Sequence, residues 1–400
     1  MNLSKIRKFE DKTVNPGERY VFSAGFDVKR DLKNTERIDQ EIADIKRISD
    51  SGGIVAILSH QGRLEYNDVI HLDYVANYLS GKLERKVEYY PENDTYSAEE
   101  CAGNLKPGSI AIFGNTRFHK EEIENDIELA KRFSELGDYV VIGGFCKAHR
   151  KHSSNNGILN YRPGFLASSC IEQIKLLEPW EGRKIGYSIA ILGGIKKEKI
   201  KALKGFAEIY DFIIPGGIAL NTILKVKGYE IGDSLIEDSG KTFEKEIKEI
   251  LKKHEGKIHI PQIVMASRKE DGFKERRWVS CNEGVPEGYS IVDFKLQDSA
   301  LNELERVVKE QGRILLAGTP GIYTAGFNTA TNQILEYMND SRSHSIILGG
   351  DSVNEIPFSG TSSSGGGSAL EYLCTGTLAI CEALKENKKR FPYLIDSTNI

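Results

Sequence analysis

The chain has 400 residues, 40% hydrophobic and 28% charged, with a formal net charge of −4 at pH 7. That length exceeds what one hydrophobic core usually serves, so two domains are expected. The charge balance gives no global field for nucleic acid or an anionic membrane, and no stretch approaches the roughly 18 apolar residues of a membrane span. The residues Met1 to Lys8 hold no apolar signal core, and the six cysteines (101, 146, 170, 281, 374, 381) show no CxxC spacing. Both point to a reduced, cytoplasmic chain with scattered buried thiols.

In chain order, residues 35–51 read as a long amphipathic helix, 54–58 as a buried strand, 71–83 as a helix and 109–113 as a strand. Residues 125–136 read as a helix and 139–142 as a strand, followed by one helix over 165–177. That helix enters Glu178-Pro179-Trp180-Glu181-Gly182, which suits a hinge. Strands then fall at 188–192, 212–214, 313–316 and 345–348, and helices at 197–209, 299–311 and 328–338. Residues 237–255 form a charged helix on a surface excursion. Short apolar runs alternating with helical periods predict an α/β chain of two doubly wound, Rossmann-like parallel-sheet lobes joined by a hinge helix. The expected limits are 1–165 for the first lobe, 166–183 for the hinge, 184–385 for the second lobe, and 386–400 for a tail packing back on the first lobe. No internal repeat is evident.

The chemistry-bearing residues follow the strands, where ligands bind in such sheets. The first half places Ser59-His60-Gln61-Gly62-Arg63, Asn115-Thr116-Arg117-Phe118-His119 and Ala148-His149-Arg150-Lys151-His152 after strands, with Arg37 opening the first helix. Arginine forks match phosphate and carboxylate oxygens in pairs, so these loops suit an anionic ligand. His149 and His152 lack a third ligand at metal spacing. In the second half, Ile346-Ile347-Leu348 runs into Gly349-Gly350-Asp351-Ser352, and Gly365-Gly366-Gly367 opens a helical segment. Bare backbone at a strand end lets phosphate approach, a helix N-terminus attracts it, and an Asp there can hold magnesium. The segment reads as a phosphoryl-transfer site; a tight turn between core elements is the plainer alternative.

These stretches, with Leu105-Lys106-Pro107-Gly108, Ile191-Leu192-Gly193-Gly194-Ile195-Lys196 and Gly228-Tyr229-Glu230-Ile231-Gly232, resemble phosphoglycerate kinases nearly end to end. The resemblance implies a first lobe that holds a phosphorylated acid, a second that holds MgATP or MgADP, and hinge closure between them. Carried over by position, it gives His60, Arg63, Arg117 and Arg150 as the clamp for the acid's phosphate and Arg37 as the residue facing its carboxylate. Gly25 and Asp27 fall at the acceptor's hydroxyl. Lys196 follows the transferring phosphoryl group and Asp351 ligates magnesium. Gly350 and the run Gly365–Gly367, Gly366 among them, are backbone donors of the closed site. Gly193, Gly194, Lys199, Gly216, Gly217, Gly318, Thr324, Gly349 and Ser352 line the nucleotide. A carboxylate acceptor needs no base near neutral pH, so the lack of an obvious catalytic His or Asp agrees.

Departures from the family pattern concentrate at functional turns. An Asp–Phe–Asn turn is Gly25-Phe26-Asp27 here, and the Arg usual two residues earlier is Ser23. The second lysine after Lys196 matches Lys199 only with a one-residue deletion, which rotates later helical side chains by roughly 100°. Pro215-Gly216-Gly217 stands for three glycines, and Lys295-Leu296-Gln297 for Gly-Pro-Lys. The run Ala317–Thr324 lacks an Asn near the transferring phosphate and the Glu that bonds the ribose hydroxyls. Gly25 is expected to vacate volume, and Asp27 to offer a carboxylate to an amino group on the acid. Ser239-Gly240-Lys241-Thr242 is no Walker A loop, because the earlier glycine is missing. Gly318 to Gly326 lacks dinucleotide spacing. The expected molecule is a monomeric kinase using magnesium and ATP/ADP, with a small phosphorylated or phosphono acid as partner. Its acceptor is expected to differ from 3-phosphoglycerate. The alternatives are an ordinary 3-phosphoglycerate kinase and a non-catalytic anion- or nucleotide-binding descendant.

Overall fold

The computed structural model describes residues 3–181, 186–196, 198–236, 241–349 and 356–392. It divides into two compact units, one of Met1–Lys175 with Thr377–Ile400 and one of Leu176–Gly376.

The first unit is built on β1 (Arg19–Ser23), β2 (Ile54–Leu58), β3 (Val87–Tyr90), β4 (Ile110–Phe113), β5 (Tyr139–Ile142) and β6 (Gly164–Leu166). They form one parallel sheet in the order β3-β4-β2-β1-β5-β6. Every residue of β2 and β4 is buried, as expected for apolar runs covered on both faces. Phe9, Tyr20, Phe22, Ile45, Ile57, Val75 and Leu79 belong to its core.

Two features differ from the expected elements. The helix over 35–51 is broken into Glu36–Asp39 and Ile42–Asp50. At the break Glu41 is buried, and its carboxyl accepts the Gly144 N–H at 2.7 Å and the Ser169 hydroxyl at 3.1 Å. The helix over 165–177 starts later, at Ser168, because Phe165 and Leu166 pair with β5 as β6. Asp44 accepts from the Ser168 N–H at 2.7 Å and caps that start. An apolar pair cannot itself distinguish a strand end from a helix start; the sheet neighbour decides.

The second unit contains β7 (Ser188–Leu192), β8 (Phe212–Pro215), β9 (Ile263–Ser267), β10 (Arg276–Ser280), β11 (Ser290–Phe294), β12 (Arg313–Ala317), β13 (His344–Leu348) and β14 (Thr361–Ser363). Five are parallel in the order β14-β13-β12-β7-β8, and β10-β9-β11 form a separate antiparallel sheet. The charged helix Lys241–His254 is not a bare excursion: Phe243, Ile247 and Ile250 are buried, and it packs on the helices Glu198–Ile209 and Gly217–Val226. No described helix is long and apolar enough to cross a membrane. The six cysteines are unbridged; 170, 281 and 381 are buried, whereas 101, 146 and 374 are only partly so.

The helix Ala379–Arg390 belongs to the first unit, so the division at Gly376 lies earlier than the expected start of a tail at 386. Buried Asn387 fastens it. Its amide donates to Leu159 O at 2.6 Å and Arg162 O at 2.8 Å, while its oxygen accepts the Gly164 N–H at 2.8 Å. Asn387→Ala would strand these buried backbone groups. It should lower the urea-unfolding free energy of the first unit by about 2–3 kcal/mol.

Candidate functional site

In each parallel sheet all strands end on one edge, so the loops after them meet there. In the first unit these loops are cross-tied by short polar side chains. Ser59 Oγ accepts the Phe26 N–H at 2.8 Å and donates to Ala24 O at 3.3 Å, joining the ends of β1 and β2. Asn115, fully buried after β4, donates to Gln61 O at 2.9 Å and Ile70 O at 2.8 Å, and accepts the N–H groups of Gln61 and Arg117. The loops bearing His60, Arg63 and Arg117 are therefore held as one piece.

The result is a cationic cluster. His60 and His152 are buried, and burial first, then the charges around them, keeps both neutral. His60 is driven well below its ordinary pKa, with Lys147, Arg117 and Arg150 adding. His152 falls to about 3, with Arg117 and Arg150 adding. Arg117 also feels Arg150, Asp27 and Arg63, and its Nε is buried without a hydrogen-bond partner. Arg63 is exposed, its guanidinium over the Tyr66 ring at 5.5 Å. Arg37 donates to Asp27 O at 2.9 Å and pairs with Asp27 Oδ2 at 3.3 Å, while Asp27 Oδ1 accepts the Gly62 N–H. The structure thus brings Gly25, Asp27, Arg37, His60, Arg63, Arg117 and Arg150 together.

Sequence reading missed what lies beneath. Lys147 is 2% exposed, and its ammonium donates to Ser23 Oγ at 2.8 Å. Burial lowers its pKa to about 8 against the pull of Glu122. Buried Glu122 accepts from the Ser154 N–H at 2.9 Å and hydroxyl at 2.6 Å and lies 3.7 Å from His152 Nδ1. Lys147 directly precedes the quoted Ala148-His149-Arg150 run, a positional signal, but nothing in the pattern marks it as buried.

The second unit presents backbone instead. Three strand-end loops are pressed together: the Gly194 N–H donates to Thr319 O, the Gly217 N–H to Pro320 O and the Ile218 N–H to Gly194 O. A side chain at Gly193 would come within 2.0 Å of Thr319 O, one at Gly217 within 2.3 Å of Gly194 O, and one at Gly216 within 2.4 Å of Pro320 Cα. Gly318 faces Gly193 O in the same way. By contrast Gly194, Gly349 and Gly366, all with positive φ, have nothing within 4 Å of where a side chain would start. Open backbone at strand and helix ends fits the close approach of a phosphate chain. Lys196 is exposed after β7. Lys199, in the first turn of the following helix, donates to Ala317 O at 2.7 Å, and burial with Lys196 nearby lowers its pKa to about 7. Gly350, Asp351 and Ser352 lie outside the described residues, as does Lys197. Among the described residues, no group of three or more acidic, His or Cys side chains could hold a metal.

The phosphoglycerate kinase sequence profile matches residues 18–387. A phosphoglycerate kinase of Thermosipho africanus is 31% identical over 373 residues, covering 89% of this chain and 92% of its own. One from Dictyoglomus turgidum is 31% identical over 374 residues, covering 89% and 93%. The chain belongs to the phosphoglycerate kinase family. The crystal structure of the Pyrococcus horikoshii phosphoglycerate kinase superposes with a TM-score of 0.79 at 24% identity, over 96% of this chain and all of that one, and shares the fold. The Coxiella burnetii phosphoglycerate kinase structure gives 0.71 at 25% identity, over 95% and 99%. Membership makes the chain a nucleotide-binding kinase-type transferase.

Within the phosphoglycerate kinase pattern, one expectation for the acceptor turn is corrected. Gly25 vacates no volume: it is buried, and a side chain there would start 2.7 Å from Gly144 Cα and 3.0 Å from Cys146 Sγ. Asp27 is exposed, with one carboxylate oxygen paired with Arg37 at 3.3 Å and the other accepting the Gly62 N–H at 3.3 Å. Thr324 is exposed on the short turn Tyr323–Ala325. Beside it Arg276 donates to Ala325 O at 3.3 Å and stacks over Phe327 at 4.4 Å. Leu296, the middle of the replaced Gly-Pro-Lys, is buried in the core.

Gly25→Ala should cost about 1–3 kcal/mol of stability by overpacking against Gly144. Chemical denaturation should show that loss, and Gly25→Asp should be at least as costly rather than restoring the family's activity.

Proposed function

We propose that the protein is a cytoplasmic, monomeric kinase that moves the γ-phosphoryl group of MgATP to the carboxylate of a small phosphorylated or phosphono acid, giving an acyl phosphate, or runs the reverse reaction. The observation that carries this is the cluster in the first unit. Burial strips His60 and His152 of their charge, while Arg117 keeps its own with a buried, unpartnered Nε. A cluster of arginines around neutral imidazoles suits a multiply charged anion, whose oxygens accept from all of them. Arg37, placed by Asp27, would face the carboxylate. The bare backbone at Gly194, Gly349 and Gly366 would let the nucleotide phosphates approach closely, with Lys196 and Lys199 meeting their charge. Magnesium, held through Asp351, would neutralise charge on the phosphate oxygens. Phosphoryl transfer asks for alignment and charge neutralisation rather than an acid or base, and these residues supply both.

The acceptor would differ from 3-phosphoglycerate beside its carboxylate. The hydroxyl-binding turn is replaced by a closed Gly25–Gly144 contact and an Asp27–Arg37 pair. The ordinary 3-phosphoglycerate kinase remains the second reading, supported by the near full-length match to proteins of that name. Coupled assay of ADP release over a panel of phosphorylated and phosphono acids separates the two. Under the first reading some acid exceeds 3-phosphoglycerate in kcat/KM; under the second none does.

Arg117→Ala should weaken binding of the acid by about 2–4 kcal/mol and leave MgADP affinity unchanged by calorimetry. Asp27→Asn should raise KM for the acid several-fold by releasing Arg37, with little effect on nucleotide KM. Lys196→Met and Asp351→Asn should lower kcat by about 100-fold or more with the acid's KM nearly constant. Near-normal turnover in either variant would move the chemistry elsewhere.

A further inference from the structure

Lys147 combines features that a purely structural lysine does not need. It is 2% exposed, yet its only described hydrogen bond goes to a neutral hydroxyl, Ser23 Oγ, at 2.8 Å. Among the described residues no carboxylate forms an ion pair with it. The two buried acids within electrostatic reach are committed elsewhere. Glu122 accepts from Ser154 Oγ and N, and Glu41 from Gly144 N and Ser169 Oγ. Burial also raises the pKa of both, Glu41 to about 7, which weakens them as counter-ions. A desolvated cation without a tight partner is a cost to folding.

Its position gives that cost a use. The side chain passes against Gly144, with Cε 3.0 Å from where a Gly144 side chain would begin. Gly144 in turn packs on Gly25 and the acceptor turn. After burial, Lys147 is the strongest charge acting on His60, and it acts on His152 as well. Ser23, which holds it, ends β1, the strand whose loop carries Gly25 and Asp27.

We propose that Lys147 is a further specificity-determining residue of the acceptor site. It supplies from behind the Gly25–Gly144 contact a fixed positive charge that draws the acid's anionic end to the close of β1. This rests on the reading that the first unit binds a phosphorylated acid. The ammonium does not touch the acid; it acts through a low-dielectric layer two glycines thick, where a charge is screened far less than at the surface. The groups facing it are Glu41, Glu122, Cys146 and Cys170, with His60, His152, Arg117 and Arg150 on the cluster side.

The test uses the full-length protein, with 3-phosphoglycerate and phosphoserine as probes, by calorimetry without nucleotide. Lys147→Met should weaken the tighter-binding probe at least tenfold, and Lys147→Arg less than threefold. MgADP affinity should be unchanged in both. Thermal stability of Lys147→Met should be equal or higher, because an unpaired buried charge is removed; a structural lysine would show the opposite. Wild type should also take up a proton on binding the probe near pH 8–9, read by repeating the titration in two buffers, and Lys147→Met should not. If Lys147→Met binds the probe as wild type does while Arg117→Ala loses it, this inference is wrong and the acceptor reading stands. If wild type binds neither probe, or Arg117→Ala is also without effect, the acceptor reading fails and takes this inference with it.

Discussion

A parallel sheet has one polarity, and that constraint organises both units. Because β1, β2, β4 and β5 all run the same way, four loops that are far apart in sequence leave the same edge of one sheet. The same holds for β7, β8, β12 and β13. Neither site could be assembled on an antiparallel meander, where successive loops alternate between edges. The strands themselves carry no chemistry. Their buried Val, Ile, Leu, Phe and Ala residues fix the edge, and the loops carry the charged and glycine residues.

The two edges solve different problems. The first concentrates positive charge, which repels itself and must be held. Asn115 and Ser59 do so by hydrogen-bonding backbone across loops, so that the arginines need not find partners of their own. Keeping His60 and His152 neutral limits the repulsion, since each protonated imidazole beside Arg117 and Arg150 would add to it. The second edge is nearly bare backbone. Gly193, Gly216, Gly217 and Gly318 are required by the loops touching one another, whereas Gly194, Gly349 and Gly366 face open space. A glycine that is needed for packing and one that leaves room for a ligand look identical in sequence; only the neighbour's position separates them.

The parallel strands 54–58, 139–142 and 188–192 could be read to the residue, because burial on both faces leaves an uninterrupted apolar run. The antiparallel strands β9 to β11 could not. Arg276, Arg277 and Trp278 within β10 read as a polar segment, and β10 has only one fully buried residue, Val279. β3 and β6 were also hidden, being edge strands of four and three residues. At the site, arginines after strands were legible from position alone. Lys147, Glu41 and Glu122 were not, because a charged residue in sequence is presumed solvated, and only three-dimensional packing buries it.

The acceptor turn shows how several departures can be parts of one change. Taken singly, Ser23, Gly25 and Asp27 each remove something from the family's turn. In the structure each removal has a counterpart. Lys147 places its ammonium on Ser23, so a positive charge reaches the end of β1 from the turn after β5. Gly144 and Cys146 occupy the space beside Gly25, so the turn is closed rather than widened. Arg37 engages Asp27, so the new carboxylate is neutralised within the protein. The charge, volume and hydrogen bonding of this turn are thus supplied by residues from separate elements: Lys147, Gly144 and Cys146 from the turn after β5, and Arg37 from the first helix.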